Sequence, residues 1–262
     1  MLIDTHCHLA ADEFAGDRKA VAAEARAAGV SAIVVPAIDV ASFDAVNDCC
    51  SSHVACFPAY GIHPLSVRQA SPADLDALRQ WLAATPGKRR PALAVGEIGL
   101  DLFVAGADFA RQEHFFVEQL KIARELDLPV LLHIRRAIDQ VLAQLRRIRV
   151  RGGIAHAFNG SSQQAAEFVK LGFKLGFGGA LTHSGATRLR RLAATLPLTS
   201  IVLETDAPDM PPAWLAGGRN TPAQLPRINA VLAELRATAA DDLAEATSAN
   251  ARAVLPELLS PV

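Results

Sequence analysis

The sequence predicts an α/β fold, specifically a (β/α)8 TIM barrel, as one domain spanning residues 1–262. Three observations carry that reading. Eight short apolar runs alternate with amphipathic segments along the whole chain. Such barrels are typically about 250 residues long. The histidines and acidic residues gather where the apolar runs end, which is where a barrel's strands feed the loops of its active face.

The runs, in order, are residues 2–4, 32–36, 55–60, 93–97, 130–134, 153–157, 173–177 and 200–204. Each is strand-sized and apolar on both faces, as expected of a parallel strand covered by helices. Segments with helical apolar spacing lie between them, at 17–28, 41–52, 72–84, 109–126, 136–149, 162–171 and 185–195. Two more, 222–237 and 241–254, follow the last run. Gly29 and Gly172 stand where two of these helices should stop, and glycine best tolerates the left-handed backbone of a helix end. The rival architecture is a doubly wound open sheet. It usually carries a glycine-rich dinucleotide turn after its first strand, a place held here by His6-Cys7-His8-Leu9. Residues 208–222, with prolines and glycines clustered twice, read as a long surface loop after strand eight.

Hydrophobic residues make up 51% of the chain, ample for a large core. No apolar run approaches the ~18–20 residues needed to cross a bilayer, so no membrane partner is expected. Net charge is −1, so the overall field does not advertise nucleic-acid binding, and any polyanion must be held by a local groove or by metal. His6 comes too early for a basic region and an apolar core to precede it, which predicts a cytoplasmic protein without a secretory leader. Cys7, Cys49, Cys50 and Cys56 form no CxxC pair and read as reduced thiols. Cys7 should point away from the histidines that flank it. No obligate protein partner is evident.

Five of the eight histidines, His6, His8, His63, His133 and His156, fall at or just beyond strand ends, whereas His53 and His114 fall in helix-like segments. Glu97, Glu204 and Asp206 join them at strands four and eight. On a strand, side chains two apart share a face, so His6 and His8 form half of a ready-made metal site. Individually, each residue has a plainer explanation. His133 or His156 could be a core histidine bonded to a carbonyl, Asp206 could cap a turn, and Glu204 could brace a ligand without being one. Together they would require a separate accident at each strand end. Three or more imidazoles plus carboxylates exceed what one zinc-type site needs. The set fits two divalent ions about 3.5–4 Å apart, an arrangement used for displacement at phosphorus or carbonyl carbon. Glu97 is the natural bridge, because an unpaired carboxylate on its apolar strand would be costly to bury. Asp206 could ligate one ion and also accept a proton from the attacking water.

Six motifs, Ile3-Asp4-Thr5-His6-Cys7-His8, Tyr60-Gly61-Ile62-His63-Pro64, Val95-Gly96-Glu97-Ile98-Gly99-Leu100-Asp101, Leu128-Pro129-Val130-Leu131-Leu132-His133, His156-Ala157-Phe158-Asn159-Gly160-Ser161 and Leu203-Glu204-Thr205-Asp206-Ala207-Pro208, resemble the TatD family of metal-dependent hydrolases in order and spacing. The similarity runs from residue 3 to about 252. Gly99–Phe103 and Ala207–Pro211 look most like the family's YjjV-like branch. The resemblance implies a metal-dependent barrel acting on phosphodiesters, a deoxyribonuclease that often works as a 3′-to-5′ exonuclease, with DNA or a short oligonucleotide as substrate. It implies two ions per subunit (Mg²⁺, Mn²⁺ or Zn²⁺), one held by His6, His8, Glu97 and Asp206 and the other by Glu97, His133 and His156. It places His63 beside the substrate phosphate and makes Arg219, in Arg219-Asn220-Thr221-Pro222, a phosphate contact. Arg135 and Arg136, just past strand five, are further candidates, and one of them should reach the mouth. Two positions depart from the common pattern. Ala157-Phe158-Asn159 replaces a frequent Cys-Phe-Ser, and Asp209 stands where tyrosine is frequent. A carboxylate at 209 opposes a DNA backbone unless metal offsets it. The rival activity is an amidohydrolase-like cleavage of amides, lactones or esters on the same binuclear site. Those enzymes commonly bridge their metals with a modified lysine after strand four, where this chain has Glu97.

Overall fold

Eight parallel strands, each buried between the barrel axis and a ring of helices, organise the protein in a computed structural model that describes residues 1–53, 55–84 and 90–259. Residues 260–262, the end of the expected domain, lie outside the described residues. The strands are β1 (Leu2–Asp4), β2 (Val30–Pro36), β3 (Cys56–Tyr60), β4 (Ala94–Asp101), β5 (Val130–Arg135), β6 (Gly153–Ala155), β7 (Phe173–Phe177) and β8 (Ile201–Leu203), arranged in sequence order. The helices are α1 (Arg18–Ala27), α2 (Phe43–Ser52), α3 (Pro72–Ala83), α4 (Phe109–Glu125), α5 (Ile138–Arg147), α6 (Ser162–Lys170), α7 (Thr187–Thr195), α8 (Leu225–Arg236) and α9 (Ala240–Val254). The predicted (β/α)8 TIM barrel is the observed architecture. Among the described residues no helix is long and apolar enough to cross a membrane.

Alternation along the strands divides the core into two layers. Ala32 and Val34 of β2, Phe57 and Ala59 of β3, Leu131 of β5, Ile154 of β6 and Val202 of β8 fill the barrel interior. Their neighbours Ile33, Val35, Val130, Leu132, Ala155 and Leu203 face the helices. α9 closes the barrel floor. Ala251 and Val254, with Leu255 just beyond the helix, extend the interior layer. Ser248 donates to the Met1 carbonyl, and Asn250 donates to those of Leu198 and Ile201. The floor is thus sealed with apolar groups, and the opposite end, where the strands finish, is left to polar chemistry.

The ring closes between β1 and β8. Thr5 donates its N–H to the Leu203 carbonyl at 3.0 Å, and the Asp206 N–H reaches the His6 carbonyl at 2.8 Å. Buried Asp4 completes the seam, accepting from the Thr205 hydroxyl (2.6 Å) and N–H (3.0 Å).

Candidate metal centre

β4 supplies the central carboxylate through a departure from strict alternation. Ala94 belongs to the interior layer, so Glu97, three residues on, should face the helices. Between Val95 and Ile98 the register against β5 slips: three steps on β4 oppose two from Val130 to Leu132. This bulge puts one extra residue in β4 and re-aims Glu97 inward. Strand alternation resumes beyond it, so Glu97, Gly99 and Asp101 share a face. β5 and β6 reach the same place directly, since His133 follows interior Leu131 by two and His156 follows interior Ile154 by two. His6 and His8 come from the residues after β1, and His63 follows β3. Asp206 lies beyond β8 in a left-handed conformation (φ 57°), uncommon for a residue with a β-carbon.

The donor atoms converge on Glu97. Its Oε2 lies 3.1 Å from His6 Nε2 and 3.4 Å from His8 Nε2, which are themselves 3.3 Å apart. Asp206 Oδ1 stands 3.7 Å from both imidazoles. Glu97 Oε1 faces the other way, 3.0 Å from His133 Nδ1, 3.7 Å from His63 Nε2 and 4.0 Å from His156 Nε2. Ligand atoms about 2.0–2.2 Å from one ion sit roughly 3.0–3.5 Å from each other, and the first group has that spacing. Three triads are compact enough to hold a metal: His6-His8-Glu97, His6-His156-Asp206 and His63-Glu97-His133. Every expected ligand is in this cluster. The triads divide the donors differently from the expected sets, however, with His156 beside His6 and Asp206, and His63 beside Glu97 and His133.

Charge and burial fit a bound cation. Burial works to raise the Glu97 carboxyl, but the surrounding imidazoles outweigh it and hold the group well below the usual range. Burial likewise opposes protonation of His156 and His133. Asp206 and Glu204 nonetheless push His156 up to about 10, and Asp101 and Glu97 push His133 up to about 8. Without metal, protons supply the positive charge that these carboxylates need. His63 goes the other way, down to about 3, through burial and the neighbouring imidazoles. Its Nδ1 accepts the Leu65 N–H at 3.1 Å, so neutral His63 carries its proton on Nε2, facing the cavity. His6 is fully buried, its Nε2 crowded by His8 and Glu97 and its Nδ1 without a partner. A cation on Nε2 accounts for an imidazole kept in such a place.

Of the residues that brace the ligands, Glu204 was expected from the sequence and Asp101 and Asn220 were not. His133 Nε2 lies 3.0 Å from the fully buried Asp101, whose carboxylate also accepts the Phe103 and Val104 N–H groups. Asp101 appears in the quoted motif without a role. Its signal was position, four residues after Glu97 on one strand face. His156 Nδ1 lies 3.1 Å from Glu204 Oε1, which also accepts the Ala157 N–H. Asn220, in the same segment as Arg219, is fully buried and donates to the Thr205 and Asp209 carbonyls (2.8 and 2.9 Å), tying down the loop that carries Asp206.

A cavity of about 1420 Å³ opens over the centre, lined by His8, His63, Glu97, Asp101, His133, His156 and Asp206. Arg135 and Arg136 both reach its wall, where the guanidinium carbons stand 3.7 and 4.6 Å from the Phe103 ring centre. Arg219 is placed differently. Its guanidinium binds both oxygens of Asp17 at 2.5 and 3.0 Å and the Glu13 carbonyl at 2.6 Å, and it is not among the lining residues. All four cysteines are buried and free, with Cys7 in the core facing the helices.

Comparison with known proteins follows the same lines. A family model described as TatD related DNase matches residues 3–256. The uncharacterized metal-dependent hydrolase YjjV of Escherichia coli K12 is 44% identical over 249 residues, 95% of each chain. The 3′-5′ ssDNA/RNA exonuclease TatD of Klebsiella pneumoniae (strain 342) is 33% identical over 258 residues, 96% of each chain. The crystal structure of E. coli YjjV, a TatD homolog, superposes with a TM-score of 0.93 at 43% identity, covering 97% of this chain and 98% of that one.

Proposed function

This chain belongs to the TatD family of metal-dependent hydrolases, and on that premise we propose that it cleaves phosphodiester bonds in DNA or short oligonucleotides with two divalent ions, from the 3′ end. The observation that carries the reading is the two-sided use of Glu97, whose Oε2 faces His6 and His8 at ligand spacing while its Oε1 faces His133 at 3.0 Å. The 3′-to-5′ sense is that of the Klebsiella relative, a 3′-5′ ssDNA/RNA exonuclease.

His6, His8, Glu97 and Asp206 would hold one ion, and Glu97, His133 and His156 would hold the other, with His156 also within reach of Asp206. Bound there, divalent ions would supply a lowered pKa for water and positive charge to offset the phosphoryl oxygens. Asp206 is the base: its carboxylate lies at the cavity wall, where it can take the proton of the attacking water. His63, neutral and with hydrogen on Nε2, donates to a non-bridging oxygen, and Arg135 adds charge on the same side. Aromatic residues are 5% of the chain, so contacts to phosphate outweigh base stacking and sequence preference is weak.

The test begins with the metal content of the purified protein. A 5′-labelled single-stranded oligonucleotide is then assayed against a panel of amides and lactones with Mg²⁺, Mn²⁺ and Zn²⁺. A ladder of shortened products, lost in Glu97→Ala and in EDTA, is the expected result. Turnover of an acyl substrate with the oligonucleotide intact would instead establish the amidohydrolase-like reading.

A further inference from the structure

The walls of the cavity are charged unequally. On one arc stand Arg135 at the end of β5 and Arg136 just after it, Asn159 and Ser161 after β6, and Arg188 in the first turn of α7. On the other stand Glu13 after β1 and Asp209 after β8. Burial and the charge of Asp206 raise the Asp209 carboxyl. Arg219, on the acidic side, is already neutralised by Asp17.

None of the three arginines on the basic arc forms an ion pair with a carboxylate among the described residues. Arg135 and Arg136 lie against Phe103, and Arg188 donates to the Asn159 carbonyl (3.1 Å) and side-chain oxygen (2.8 Å). The carboxylate on that arc, Asp139, accepts from the Gln164 amide at 2.8 Å. Arg135 follows His133 by two residues on β5, so it rises from the same strand face about 6–7 Å further toward the mouth. Arg136 adopts a left-handed backbone (φ 57°), which turns the chain so that consecutive arginines meet the same ring. Phe103, 46% exposed, supports two guanidinium planes at the edge of the site. Their donors are held near the metal centre with no protein anion to satisfy them.

We propose that Arg136 and Arg188, on the far side of Arg135 from the metal centre, form a second anion subsite, which binds a phosphate group of the substrate other than the one being cut. This rests on the phosphodiesterase reading above and adds a substrate requirement. A substrate with at least two phosphates is preferred, and its chain runs from the metal centre across the β5–β7 side, away from Asp209 and Glu13. Arginine suits the task because its planar fork meets phosphate oxygens in pairs.

The experiment uses the metal-loaded protein and the substitutions Arg136→Ala and Arg188→Ala, singly and together. Two substrates are compared: bis(p-nitrophenyl) phosphate, with one phosphate, and a tetranucleotide bearing a 5′-phosphate. The double variant should raise KM for the tetranucleotide about tenfold or more, with kcat little changed. The one-phosphate substrate should stay within about twofold of wild type. Binding of a phosphorothioate tetranucleotide, followed by fluorescence anisotropy, should weaken in parallel, its salt dependence falling by about one unit per arginine removed. Arg136→Lys and Arg188→Lys should recover part of the loss. Competition by a nucleoside 3′,5′-bisphosphate but not by a monophosphate would show that two phosphates on one nucleoside suffice, whereas competition by the tetranucleotide alone would assign the subsite to a chain. Equal loss with both substrates, or unchanged tetranucleotide binding, would overturn the subsite while leaving the nuclease reading standing. Arginine-dependent binding without cleavage of either substrate would do the reverse.

Discussion

Two histidines of the centre are aimed through opposite ring nitrogens. Asp101 takes Nε2 of His133 and leaves Nδ1 for Glu97, while Glu204 takes Nδ1 of His156 and leaves Nε2 for the cavity. Carboxylates behind ligand imidazoles fix their orientation and raise their basicity, and losing one typically costs 10–100-fold in metal affinity. Asp101→Asn and Glu204→Gln should therefore keep the fold and lose roughly that factor, read by chelator competition. Wild-type affinity in both variants would show that the contacts are incidental. The same residues set a pH dependence. His133 (about 8) and His156 (about 10) lie above the ordinary imidazole value. In the metal-free protein their ion pairs thus stabilise fully below about pH 6.5 and fade as pH rises through those values. Binding metal displaces both protons, so affinity should increase from pH 6.5 to 8.5 with proton uptake by the buffer. Calorimetry in buffers of different ionisation enthalpy should count between one and two protons released at pH 7.5.

At the scale of elements, close approach of backbones fixes where the carboxylates sit. A β-carbon at Gly99, where φ is 150°, would lie 1.9 Å from the His133 carbonyl oxygen, so β4 and β5 touch there as only glycine allows. Gly176 of β7 does the same for Glu204: a β-carbon there would meet Oε2 at 2.1 Å. Gly176→Ala should push Glu204 off His156 and cost about 1–3 kcal/mol by overpacking. Urea titration would measure that loss, and a chelator titration should show metal affinity falling with it. An unchanged affinity would separate Glu204 from the metal site. These contacts also mark what the sequence could and could not convey. The eight strands were legible because apolar runs and helical spacing alternate without interruption, and the ligands because they sit at run ends. β4 continues to Asp101 rather than stopping at Glu97, with Gly99 giving the room that the neighbouring strand needs there. The bulge that turns Glu97 inward depends on pairing with β5, which no local pattern records. The Arg219–Asp17 pair joins residues 202 apart in sequence, so the family-based expectation of a phosphate contact had no local signal against it.

For the molecule as a whole, the centre lies on the seam that closes the barrel. β1 and β8 are both three-residue strands, and a few hydrogen bonds around Asp4, Thr5 and Thr205 join them. His6 and His8 lie on one side of that seam and Asp206 on the other, with Glu97 facing all three from β4. A cation shared by these groups adds a link between the chain's first and last strands at the point where the backbone ladder is shortest. It binds the folded state alone, because the unfolded chain leaves those ligands about 200 residues apart, as Thr205 and Asp4 are. A ligand present at 1,000 times its Kd stabilises by about 4 kcal/mol, and each kcal/mol moves Tm by roughly 2–4 °C in a chain near this size. Saturating metal should therefore raise Tm by about 10 °C over the EDTA-treated protein. Asp206→Asn should remove much of that increment, and should also lower the metal-free Tm because His156 loses the carboxylate that does most to hold its proton. Differential scanning calorimetry with and without metal makes the comparison, and an increment unaffected by Asp206→Asn would place the stabilising ion away from the seam.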